Sequence, residues 1–145
     1  MIKKLRLICC VLIILGIALT FTSCWALREK KYYSNKENFV TVSGVVTFIN
    51  LTDDGLLYLG IDLEGNHGFS DSSFKLNEAN TDIVVKNGLL DSLTIGKRCT
   101  IISAPKYFGD GYVYPIVEIQ IDDCVYLEFD QGYKNFMKKY DKGLL

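Results

Sequence analysis

The chain is poor in the residues that punctuate or catalyse: of 145 residues, two are proline, one is histidine, one is tryptophan and two are methionine. So few prolines exclude collagen-like or proline-rich linker character. A lone histidine, His67, excludes a histidine-based metal cluster, and its place between Asn66 and Gly68 marks a solvated turn residue. No CxxC pair, no Gly-rich phosphate loop and no EF-hand spacing of acids occurs, so zinc, nucleotide phosphates and calcium lack their usual sequence frameworks. Net charge is nearly absent as well, 16 Lys plus Arg against 17 Asp plus Glu. What is there is a chain 49% hydrophobic and 23% charged, enough to order itself as one ordinary domain and too short for a multidomain enzyme.

The charge that exists is divided. Residues 1–38 carry seven Lys or Arg and two acids, whereas residues 39–145 carry nine and fifteen. Phosphate binding rests on clustered cations, so the acidic second part is not expected to bind nucleic acid. The basic part holds Leu7 to Leu27, 21 residues without a charge, between Lys3, Lys4 and Arg6 on one side and Arg28, Lys30 and Lys31 on the other. As a helix this run would rise roughly 30 Å, the thickness of a bilayer core. Residues 1–27 therefore read as a signal peptide or a single transmembrane anchor. With three basic residues on each side, the positive-inside bias assigns no orientation.

Phe21-Thr22-Ser23-Cys24 resembles the lipobox of bacterial lipoprotein precursors, although Phe21 stands where that pattern usually has Leu, Val or Ile. The resemblance implies lipidation of Cys24, cleavage before it, and a domain outside the cytoplasmic membrane. Cys24 otherwise reads as a small apolar residue within a spanning helix, as Cys9 and Cys10 do. Both readings make the membrane a partner, through a lipid or through a single helix.

Residues 28–38 read as a polar tether, with Tyr32 and Tyr33 as headgroup-level rings. From Phe39 the hydrophobic period is two. Val40, Val42, Val46 and Phe48 are expected on one face of a first strand bent at Gly44. Asp53-Asp54-Gly55 makes a hairpin turn, and Leu57, Leu59, Ile61 and Leu63 mark a second strand. Phe69 to Leu76 is a weaker third. Asn80 or Thr81 caps a short helix that Gly88 stops. Cys99, Ile101 and Ser103 then alternate with Thr100 and Ile102 on a fourth strand, and Val117, Ile119 and Ile121 share one face of a fifth, from Tyr112 to Ile121. Val125 to Phe129 adds an extra strand, and residues 130–145 a short helix and tail that bring Phe136 and Tyr140 against the body.

Five strands, a Gly-bent first one and a helix between the third and fourth resemble an OB-fold barrel over residues 39–129, with an SH3-like barrel or an irregular β-sandwich as the alternatives. The expected class is mainly β. A tether followed by a barrel is also similar in layout to small bacterial envelope lipoproteins, a class with no shared activity.

No cofactor, metal or catalytic residue is expected, and the chain is not read as an enzyme. Cys99 and Cys124 are read first as buried thiols, with a disulfide or one reactive thiol as alternatives. The acids at Asp53-Asp54, Asp62, Glu64, Asp110 and Asp122-Asp123 read as turn formers and solvated charge. The most suggestive stretch is Lys106 to Pro115. In an OB-like order it joins strands four and five and helps frame a ligand face made of Tyr58, Tyr107, Phe108, Tyr112, Asp53 and Asp54. Exposed rings there would contact an envelope protein or a glycan. The alternative is that Tyr107, Phe108 and Tyr112 fold over the barrel mouth as a lid, leaving an accessory lipoprotein without a small-molecule ligand.

Overall fold

The structure, a computed structural model, describes residues 25–108 and 112–141. The charge-free run up to residue 24, the lipobox resemblance and Cys24 itself lie outside the described residues. The described residues divide between two units, one ending at Ser34 and the other beginning at Asn35. In the first, residues 25–33 form helix α1, across the expected boundary at residue 27 between the membrane segment and the polar tether. Leu27, Arg28, Glu29, Lys30 and Lys31 are all good helix formers, and no glycine or proline interrupts them. The Ser34 amide donates to the Lys30 carbonyl at 2.9 Å and closes the last turn. Among the described residues no helix is long and apolar enough to cross a membrane.

The second unit runs β1 (Val40–Leu51), β2 (Leu57–Leu63), β3 (Ser73–Leu76), α2 (Glu78–Lys86), α3 (Leu89–Ser92), β4 (Arg98–Ser103), β5 (Tyr114–Ile121), β6 (Cys124–Leu127) and α4 (Phe129–Asp141). β1 is long enough to serve two neighbours. Its first half pairs antiparallel with β4 and its second half with β2, and Gly44 is shared, opposite Cys99 on one side and Leu63 on the other. β2 continues to β3, β4 to β5, and a short parallel pairing of Phe74 with Tyr114 and Lys75 with Pro115 closes the ring. The result is a closed five-stranded mixed barrel, compatible with an OB-like barrel, in a mainly β domain with several helices. β6 extends the sheet beyond β5, outside the ring.

Leu57, Leu59 and Ile61 fill the barrel from β2 as the alternation predicts, against Phe74, Ile101 and Ile119. Two strands depart from the expected phase, and each contains a bulge. In β1, Val46 faces Ile61 but Phe48 faces Gly60, so Thr47 is an extra residue. Such a bulge re-aims the side chains after it. Phe48 therefore points outward, 53% exposed, and Ile49 packs against the core instead. In β5, Glu118 faces Ile102 and Ile116 faces Ser103, which leaves Val117 unpaired in the ladder and puts Ile116, rather than Val117, in the core with Ile119 and Ile121.

Val117 is nevertheless fully buried, because α4 covers the outside of β5. Gly132 makes the close approach: a Cβ there would overlap the Val117 carbonyl oxygen and lie 2.9 Å from Leu127 Cδ2. Phe136 and Tyr140 are buried as anticipated. A buried amide network ties α4 to α2: Asn80 Nδ2 donates to the Gly132 carbonyl at 3.0 Å, and Asn135 Nδ2 donates to Asn80 Oδ1 at 3.1 Å. That use of Asn80 explains why it is not the helix cap. Asn77 caps α2 instead, its side chain accepting the Asn80 amide at 3.0 Å, while Thr81 Oγ1 accepts the Leu57 amide at 3.2 Å. Gly88, with φ +80°, ends the helix where expected.

Cys99 is buried inside the barrel, and burial pushes its thiol up to about 11. Cys124 is exposed, which corrects the reading of both cysteines as buried. Both pair with Ile121, from opposite sides of β5, so they stand two strand spacings apart, about 9–10 Å. That is beyond disulfide reach, and both thiols are free.

Candidate functional site

The bulge at Thr47 creates the most distinctive feature of the barrel surface. Phe48, turned outward, lies over Gly60 on β2, where a Cβ would come within 2.9 Å of Phe48 Cβ and 2.7 Å of Thr47 Oγ1. Only a residue without a side chain leaves room for this arrangement. The outcome is a groove of about 280 Å³ over β1, β2 and β3, lined by Phe48, Tyr58, Gly60, Thr47, Ser72, Ser73 and Val113 together with Leu59 and Phe74. No charged side chain lines it. The groove thus offers aromatic faces, hydroxyl donors and acceptors, and a bare backbone floor at Gly60.

Of the six residues expected to form a ligand face, Tyr58 lines this groove. Tyr107 folds back onto the barrel, packed against the core, its ring 5.4 Å from Tyr114 and 5.0 Å from Tyr112. Its hydroxyl is held above the ordinary tyrosine value, by desolvation first and then by Tyr112, Tyr114 and Asp71. Tyr112 lies on that ring, 62% exposed, with a backbone φ of +31°. Phe108 is half-buried, with the Lys106 ammonium 5.0 Å from its ring. Asp53 and Asp54 are exposed in the β1–β2 turn, where Asp54 takes the Thr52 hydroxyl. The aromatic loop is therefore partly lid, through Tyr107, and partly exposed surface, through Tyr112. The residues that sequence reasoning missed are Phe48 and Gly60. Their signal was a break in alternation at Phe48-Ile49 with a glycine on the next strand.

A second pocket, of about 400 Å³, lies at the β2–β3 loop and is lined by Ile61, Asp62, His67, Phe69, Ser70 and Asp71 among others. His67 is half-buried there, not a freely solvated turn residue, and its Nδ1 accepts the Phe69 amide at 3.2 Å. Ser70 Oγ is bonded to the Tyr114 hydroxyl at 2.8 Å. Asp71 Oδ1 accepts the Ser72 and Ser73 amides, at 2.6 and 3.1 Å. These bonds organise the loop before β3 and explain why that strand begins at Ser73 instead of Phe69. Among the described residues, no three His, Cys, Asp or Glu side chains converge as metal ligands.

No protein-family model matches the chain, and a search of curated proteins finds no match to it. The functional reading rests on the geometry of the barrel and its surface.

Proposed function

We propose that the chain is a membrane-tethered binding module of the bacterial cell envelope, an OB-like barrel that contacts a neutral glycan strand through the β1–β2–β3 face. The observation that carries this reading is the uncharged groove between Phe48 and Tyr58. Aromatic faces pack on the C–H faces of sugar rings, and hydroxyls such as those of Ser72 and Ser73 exchange hydrogen bonds with a sugar's own. At about 280 Å³ the groove falls below the ~300–1,000 Å³ of pockets that enclose drug-sized ligands, which suits one unit of a chain lying across it. The excess of acids in residues 39–145 disfavours anionic polymers. The N-terminal run and the lipobox-like Phe21-Thr22-Ser23-Cys24 support an extracytoplasmic lipoprotein anchored at Cys24, with a single-helix anchor as the alternative tether.

The second reading is an accessory envelope lipoprotein with no small-molecule ligand. The inward fold of Tyr107 favours it, because a ring packed as a lid is withdrawn from partners. Calorimetric titration of the full-length chain in detergent micelles with cellotetraose and with chitotetraose separates the two. Phe48→Ala and Tyr58→Ala are each expected to weaken binding about tenfold, the size of one lost stacking ring with its buried area. Heat of binding that survives both substitutions together would remove the groove from the account.

A further inference from the structure

Among the bonds that order the β2–β3 loop, one is abolished by protonation. His67 Nδ1 accepts the Phe69 amide at 3.2 Å, so in this state Nδ1 carries no proton. Histidine side chains as a class change charge between about pH 5 and 8. An imidazolium has N–H donors at both nitrogens and can accept nothing. The titratable groups lining the same pocket besides His67 are Asp62 from β2 and Asp71 from the loop ahead of β3, and no Lys or Arg lines it.

We propose that His67 is a pH-operated latch within the β2–β3 loop, closing the turn from His67 to Phe69. Neutral His67 takes the Phe69 amide and fixes the turn from His67 to Phe69 that forms part of the pocket wall. On gaining one proton from solvent at Nδ1, the ring gives up that amide and turns its new donor toward Asp62 or Asp71. The loop has hinges for such a change in Gly65 and Gly68, both at φ +75°. The motion stays local, because the Phe69 ring is buried edge-to-face on Tyr114 at 4.8 Å and 5.4 Å from Phe74, and keeps its place. What changes is the wall of the roughly 400 Å³ pocket that His67 lines, which is reshaped as the solution acidifies.

The test is amide hydrogen exchange of the ¹⁵N-labelled full-length chain in detergent micelles, with the His67 ring protons reporting its charge. After correction for intrinsic exchange, protection of the Phe69 amide is expected to fall about fivefold as the imidazole titrates, the value of one net hydrogen bond. In His67→Asn the fall should vanish, because an asparagine oxygen accepts the amide two residues on and does not titrate. Constant protection in the unmodified chain would overturn the proposal. So would an equal fall in His67→Asn, which would move the trigger to Asp62 or Asp71.

Discussion

Gly132→Ala should loosen α4 from the barrel and lower stability by about 3 kcal/mol, at the upper end for overpacking a tight contact. Helix propensity alone argues for the opposite sign, since alanine inside a helix is favoured over glycine by about 1 kcal/mol. Sterics win here because the overlapped atom is the Val117 carbonyl oxygen, part of a strand backbone that cannot swing aside. Relief requires α4 to move outward as a body. That movement would uncover Val117, Phe136 and Tyr140 and pull the Gly132 carbonyl from Asn80 Nδ2, taking the Asn80–Asn135 bond with it. Glu118 would be affected too: its carboxylate accepts the first amide of α4, from Phe129 at 3.2 Å, and is held above the ordinary glutamate value chiefly by desolvation. A urea transition at unchanged or higher midpoint would mean that α4 does not sit on Val117.

The other large effect is expected at Gly44. In Gly44→Ala the new methyl would overlap the Asp62 carbonyl oxygen and stand 2.8 Å from Ile61 Cγ2, at the residue where β1 passes from one neighbour to the other. Opening that seam should cost about 2–3 kcal/mol. Gly96→Ala is the informative control. Its Cβ meets nothing within 4 Å, and only its φ of +87° opposes the change, a penalty of about 1–2 kcal/mol. Denaturant unfolding should therefore rank Gly44→Ala below Gly96→Ala in stability. The reverse order would place the bend of β1 elsewhere.

Much of the barrel is legible in the residues themselves. The alternation of Leu57, Leu59 and Ile61 places the β2 core face, and Gly55 and Gly88 mark real chain reversals at φ +76° and +80°. The helical insertion between β3 and β4 also follows from the change of period, though α2 begins three residues before Thr81 because Asn80 and Thr81 are spent on tertiary hydrogen bonds. The misreadings share a physical cause. A bulge shifts the phase of every later side chain, and nothing in Val46-Thr47-Phe48-Ile49 says which residue is the extra one. For β5, Pro115-Ile116-Val117 is a continuous apolar run, which signals burial on both faces. The partner that covers the second face, α4, contributes through Gly132, a residue with no side chain to announce it.

The candidate site was legible only at Tyr58. Its other wall, Phe48, depends on the bulge, and its floor, Gly60, on the close approach the bulge imposes. The aromatic loop was conspicuous in composition, but composition could not tell which rings fold inward. Tyr107 does so because it completes a cluster with Tyr114, and Phe69 and Phe74 extend that cluster into the barrel.

The most direct test of the central claim is a ¹H–¹⁵N titration of the full-length chain in micelles with a neutral oligosaccharide such as chitotetraose. A groove that serves a glycan predicts saturable shifts concentrated at Phe48, Tyr58, Gly60, Ser73 and Val113, with the β6 and α4 amides unmoved. Saturable shifts that leave those five amides in place, or no shifts at any reachable concentration, would contradict it.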